Sequence, residues 1–132
     1  MRRPDLPSAP QARQARGALA RRTGRRAEAW AAAWLMLKGY RILGFRLRTR
    51  LGEIDLLAQK GGVLAVVEVK SRTTLDDALA AVSAEQRDRL RRAGEAVAGG
   101  RPALKTLAVR LDLVAVAPGR LPQHRPDAWR GA

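Results

Sequence analysis

Residues 63–71, VLAVVEVKS, constrain the fold more than any other part of the chain. Aliphatic residues fill both of its faces, and a strand apolar on both faces normally lies in the middle of a sheet that is covered on each side. Charges inside such a strand are costly unless something compensates them, yet this one carries Glu68 and Lys70. Just upstream, EIDLLAQ reads as a second strand and Lys60-Gly61-Gly62 as the turn between them, so residues 53 to 70 form a hairpin. Side chains two apart in a strand share a face. Glu68 therefore projects with Lys70, and Asp55 with Glu53. A turn near Gly61 places Asp55 roughly opposite the stretch from Val66 to Glu68.

Two carboxylates meeting on a wall of aliphatics repel each other and lose hydration. A divalent cation relieves both costs. Mg²⁺ takes oxygen ligands, keeps several waters and is typically held by one or two carboxylates plus a substrate phosphate. The expected metal ligands are Asp55, Glu68 and the backbone carbonyl of Val69, with Mn²⁺ as the natural substitute. Lys70 is placed to steady the negative charge that develops when a phosphodiester is attacked by water. The competing reading is an ordinary Glu68–Lys70 or Asp55–Lys70 ion pair at an exposed sheet edge, since the E-x-K tripeptide is common.

Helical spacing of Ala27, Trp30, Ala31, Trp34 and Leu35 predicts an amphipathic helix between Thr23, its cap, and Gly39, its stop, with both tryptophans in the core. Strands are expected near 40 to 48, 53 to 59, 63 to 70 and 106 to 116. Ser83 and Gln86 have capping-box spacing and open a second helix, 84 to 98, whose outer side is crowded with Arg87, Arg89, Arg91 and Arg92. Residues 1–22 read as a basic, disordered arm. Residues 23–117 read as the domain, and 118–132 as an irregular Pro-rich tail in which His124 has no expected catalytic part. Asp112, in the last strand, is expected to pair with Arg110 or a nearby helix arginine.

With 132 residues, one modest core is all the chain can bury. Lysine and arginine total 26 against 12 acids, a formal charge of +14, which points to a polyanionic partner. Nucleic acid leads and an anionic membrane surface trails. Only Lys38, Lys60, Lys70 and Lys105 are lysines; the other basic residues are arginines, and the accompanying richness in Ala and Gly is what a GC-rich coding bias produces. Most single arginines therefore carry little information, whereas a lysine inside a strand carries more. The absence of cysteine excludes disulfides, thiolate metal sites and cysteine nucleophiles. No apolar run reaches membrane-spanning length, and the basic N-terminus lacks a secretory apolar region. Its Arg-rich, acid-poor character also suits an organelle transit peptide, but its prolines and the lack of an amphipathic stripe make that the lesser reading, and a cytoplasmic location is expected.

An Asp on one hairpin strand and E-x-K on the next resembles the PD-(D/E)XK motif of restriction-endonuclease-like nucleases, with Ile54 where that motif often has proline. More closely, GRRAEAWAAAWLMLKGYRIL, GEIDLLAQ, VLAVVEVKSR, AVSAEQRDRL and RLDLVAV, in that order from about Gly24 to Ala117, resemble the YraN family of small bacterial nuclease-like proteins. The resemblance implies an α/β fold with a restriction-endonuclease-like core, a mixed central sheet flanked by helices. It implies a catalytic set of Asp55, Glu68 and Lys70, and it draws in Glu28 from the first helix, whose other reading is a solvated acid among Arg25 and Arg26. The chain departs from the family at Arg46, where Asn is usual, and at Gln86, where Lys is usual. A phosphate contact or orienting bond is then expected from Arg46, Arg48, Arg50, Arg72 or Arg87.

These readings converge on a Mg²⁺-dependent endonuclease for structured or branched DNA. A homodimer would suit the cutting of two strands. The rivals are a non-catalytic nucleic-acid-binding module on the same fold and an interaction protein docking an acidic partner.

Overall fold

The structure, a computed structural model, describes residues 24–130. The expected N-terminal arm and the Thr23 cap lie outside the described residues. Helix α1 covers described residues 24–37 and ends as the glycine predicts: Gly39 takes φ +91, Gly39 N–H donates to Met36 O at 3.0 Å and Tyr40 N–H to Leu35 O at 3.0 Å. This pair of bonds satisfies the last helical carbonyls.

The chain then forms β1 (Arg41–Thr49), β2 (Gly52–Lys60) and β3 (Val63–Ser71) as an antiparallel meander. Gly61, at φ +57, supplies the backbone that a two-residue hairpin turn between Lys60 and Val63 requires. Helices α2 (Leu75–Ala80) and α3 (Ala84–Gly100) carry the chain across the sheet to β4 (Ala108–Val116), which lies parallel to β3. A crossover of this kind is the usual way to make a parallel neighbour. Ser83 caps α3 as expected, its Oγ accepting from Gln86 N–H at 3.1 Å. Thr74 does the same for α2, a short helix absent from the sequence reading although Thr74 and the acids Asp76 and Asp77 have the spacing of a helix start. A last strand, β5 (Gln123–Arg125), pairs antiparallel with β4 and completes the order β1-β2-β3-β4-β5.

The fold is thus α/β, a five-stranded mixed sheet flanked by helices, consistent with a restriction-endonuclease-like core. Side chains alternate across β3. Leu64 and Val66 enter a core closed by α2 and α3 through Ala78, Leu90 and Ala93, whereas Ala65 and Val67 meet Ala31, Ala32 and Leu35 of α1 on the other face. The double-faced apolar pattern therefore has the cause read from the sequence. At Gly94 helix α3 comes so close to the sheet that an added Cβ would collide with Val66 Cγ2 and lie 3.1 Å from Val109 Cγ1.

Two expectations need correction. Trp30 is not in the core: it is 64% exposed, while Trp34 is half-buried. The buried stripe of α1 runs through Ala27, Ala31 and Leu35, and Trp30 falls at its margin. Nor is the tail irregular throughout. It contains β5 and then a turn that buries Trp129, whose indole N–H donates to Leu79 O at 3.3 Å. Among the described residues, no helix is long and apolar enough to cross a membrane.

Candidate active site

The pairing of β2 with β3 runs from Lys60↔Val63 to Leu56↔Val67 and stops there. Asp55 and Glu68 are the next residue on each strand, so both carboxyls stand where the two strands part. The ladder between β1 and β2 is interrupted at the same level. It passes from Phe45↔Leu56 to Leu47↔Ile54 and skips Arg46 and Asp55, and Arg46 takes the left-handed φ of +46. The break turns Ile54 into the same core as Leu57, against strict alternation, and leaves Asp55 at the gap.

Within the gap, Asp55 Oδ2 accepts from Val69 N–H at 2.9 Å, so a side chain takes over the bond that the ladder has given up. The Asp55 and Glu68 carboxyls lie close enough to perturb each other's ionisation. Lys70 Nζ lies 3.5 Å from Glu68 Oε1, and its side chain is 24% exposed against 7% for Glu68. The three residues singled out from the hairpin are therefore together, half in and half out of the core.

Burial first, then the charge of Asp55, pushes the Glu68 carboxyl up to about 8 despite Lys70. Burial also raises Asp55, against the pull of the Val69 N–H, of Glu68 and of Lys70. At neutral pH the pair thus holds a proton between two carboxyls, as two nearby acids with insufficient positive charge must. Glu28, buried on α1, is raised by burial and by the neighbouring Asp55, and pairs with the Arg46 guanidinium. Its carboxylate is engaged by that arginine rather than joined to the Asp55–Glu68 pair. Among the described residues, no cluster of three or more acids, histidines or cysteines surrounds one point. The side-chain donors at the gap are the carboxyls of Asp55 and Glu68. Such a set, with no nitrogen or sulfur, fits Mg²⁺ or Mn²⁺ completed by water and phosphate.

The arginines divide into two kinds. Arg48, 89% exposed, stands 3.9 Å from Glu53, and Arg50 and Arg72 are exposed in the segments next to the hairpin strands. Arg87, by contrast, lies over the Trp129 ring at 5.6 Å and bonds Ser83 O at 3.4 Å, which ties α3 to the C-terminal turn.

A second polar cluster was only partly foreseen. Asp112, fully buried, takes two bonds from Arg110 (2.7 and 2.8 Å), one from His124 Nε2 (2.9 Å) and one from Asp127 N–H (3.0 Å). Arg110 also donates to the Tyr40 hydroxyl at 2.7 Å. Lys38 Nζ sits 2.5 Å from His124 Nδ1. An ammonium can only donate, so Nδ1 accepts and the imidazole proton is on Nε2, facing Asp112. Burial raises the Asp112 carboxyl, but Arg110, His124 and the Asp127 N–H outweigh it and hold it below its ordinary value. The expected Asp112–Arg110 pair is present; the part of His124 was missed, because three strand residues in a Pro-rich tail have no readable periodicity.

The model of the "Uncharacterised protein family UPF0102" matches residues 27–116. A UPF0102 protein of Caulobacter vibrioides (strain NA1000 / CB15N) is 68% identical over 120 residues, covering 91% of this chain and 96% of its own length. One from Paramagnetospirillum magneticum is 50% identical over 115 residues, covering 84% and 89%. A third, from Agrobacterium fabrum, is 48% identical over 110 residues, covering 83% and 90%.

Proposed function

The chain belongs to the UPF0102 family, and from the acids at the open end of its central hairpin we propose a metal-dependent endonuclease of the PD-(D/E)XK type, acting on structured or branched DNA. The observation that supports this most is the placing of the Asp55 and buried Glu68 carboxyls beside Lys70 where β2 and β3 separate. An exposed-edge ion pair would have a solvated Glu68, but this side chain is 7% exposed. A buried, partly compensated acid pair is a poor device for stability alone.

Asp55, Glu68 and the Val69 carbonyl would hold Mg²⁺ or Mn²⁺. Such an ion, when bound, lowers the pKa of a coordinated water and offsets charge on a phosphate. The rest falls to this chain's own groups. Lys70 directs its ammonium at the charge that grows on the phosphate oxygens during attack. The Val69 N–H fixes the Asp55 carboxylate, and Arg46 keeps Glu28 beside the site without adding a free negative charge. Arg48, Arg50 and Arg72 hold the DNA backbone, with little sequence preference and steep salt dependence.

The experiment is cleavage of a panel of flapped, branched and single-stranded DNAs in Mg²⁺ or Mn²⁺, with binding measured in parallel. Wild type should cut and Lys70→Ala should bind without cutting. Binding with neither metal uptake nor cleavage would replace the nuclease with a binding module on the same fold. No affinity for nucleic acid would leave a docking protein for an acidic partner. Sizing of the protein–DNA complex tests whether two copies act together.

A further inference from the structure

A second concavity lies beside the acidic gap, and the cleavage chemistry makes no use of it. It has a volume of about 650 Å³ and opens between α1, the C-terminal ends of β3 and β4, and the loop that follows β4. Its walls are mainly apolar, with Trp30, Val116 and Leu121 prominent, and they include Arg26, Arg120 and Ser71; among the described residues no acidic side chain lines it. Trp30 is 64% and Leu121 72% exposed. Alanines surround Trp30 on α1, so neither helix formation nor the core calls for an indole there.

The cavity and the acidic gap share two elements. Ala27, in the wall, precedes Glu28, and Ser71, also in the wall, follows Lys70. Ser71 and Lys70 project to opposite faces of β3, so a DNA strand with a phosphodiester at Asp55, Glu68 and Lys70 reaches this opening by passing around the C-terminal end of that strand. The volume is that of a small-molecule site. An aromatic face, aliphatic walls and flanking cations without acids are what an unpaired base and its phosphates require. The chain's own N-terminal residues 1–23 fit worse, because they carry six arginines and one acid and so have the same sign as Arg26 and Arg120.

We propose that this cavity receives an unpaired base of the DNA strand, stacked on Trp30 with its phosphates on Arg26 and Arg120, so that the substrate is single-stranded or flapped DNA rather than continuous duplex. The path of the strand past the gap rests on the endonuclease reading; binding in the cavity is measurable without it.

The test uses the full chain in EDTA, where cleavage plays no part. Anisotropy of labelled oligo-dT and of a duplex of equal length gives the two affinities, and an oligonucleotide carrying 2-aminopurine reports stacking. Trp30→Ala should weaken oligo-dT binding about ten-fold, the loss of one base–aromatic stack, and leave duplex binding unchanged. Trp30→Phe should restore most of it, and wild type should quench the 2-aminopurine. Equal affinity of Trp30→Ala and wild type for oligo-dT, equal loss for duplex, or binding without quenching would overturn the proposal. The last result would place the strand elsewhere and point to another occupant, the N-terminal segment included. Cleavage by wild type with an unaffected Trp30→Ala would discard the cavity and keep the nuclease. Stacking at Trp30 in a protein that never cuts would do the reverse.

Discussion

Replacing Glu68 by Gln should make the metal-free protein more stable at pH 8, and by less as the pH falls toward 5. Glu68 is an acid whose folded pKa lies above its unfolded one, raised by burial and by Asp55 from 4.5 to about 8. Between those values the folded state holds a proton that the unfolded state has released. Stability is therefore greatest below 4.5 and falls as pH rises through about 8. At about 1.4 kcal/mol per pH unit, the full interval corresponds to up to roughly 5 kcal/mol. Asp55, raised as well, shares that proton, so the loss belongs to the pair. Solvent entering the gap would leave about half of it, which still moves the unfolding midpoint by about 10 °C in a domain of this size.

Gln keeps the size of the protonated acid and can still bond Asp55, but it cannot ionise. The assay is thermal unfolding in EDTA from pH 5 to 8 for both proteins. Every other titrating group is common to both proteins, so the difference between the two curves isolates Glu68. Adding Mg²⁺ should then stabilise the wild type increasingly with pH, because the ion binds the deprotonated carboxylates, and should do little for Glu68→Gln. Parallel pH profiles for the two proteins in EDTA would refute the account of a proton held at the gap.

Asp112→Asn leaves the half-buried Arg110 without its counter-ion and should cost about 3 kcal/mol in urea unfolding; an unchanged midpoint would show that the cluster carries no stability. Because Asp112 is held below its ordinary value, its contribution is complete above the unfolded carboxylate value of 3.8 and disappears as pH falls below it. Gly94→Ala, whose Cβ would strike Val66, should cost about 2 kcal/mol, and most of that increment should vanish in a Val66→Ala background when the double-mutant cycle is measured by denaturant. Removing Arg48 and Arg50 together should flatten the salt dependence of DNA affinity by up to about 2 in log–log slope, one per lost phosphate contact.

The parts of this structure legible in the sequence are those set by local rules. Period-two alternation put Glu68 and Lys70 on one face of β3, Gly61 fixed the turn, and Gly39 stopped α1. What stayed hidden depends on contacts between elements. The parting of β2 from β3 beyond Leu56↔Val67 coincides with the left-handed Arg46 and the skipped pair on β1, which no pattern within the hairpin encodes. Trp30 and Trp34, one helical turn apart, read as a core pair. The stripe that packs is centred on Ala27, Ala31 and Leu35, so the two indoles fall at its edge. Strand β5 is held by its ladder to β4 and by His124 reaching Asp112, both supplied by residues far away in sequence.

The two buried acids in the centre of the sheet serve as controls for each other. Asp112 lies beside Val67 in the parallel ladder and Glu68 beside Leu113, one residue along and on the opposite face. Around Asp112 the fold supplies a bidentate guanidinium, an imidazole N–H and a backbone N–H, and the carboxyl is held below its ordinary value. Around Glu68 it supplies one ammonium at 3.5 Å and a second acid, and the carboxyl rises to about 8. The same short stretch of sheet can neutralise a buried carboxylate fully, so the deficit at Glu68 is not a limit of the scaffold. A site built only for stability would gain from a second cation here, as Asp112 does from Arg110. The residue placed in that position is instead Asp55, which deepens the deficit, and under the proposed function the charge that would close it is that of a bound divalent cation.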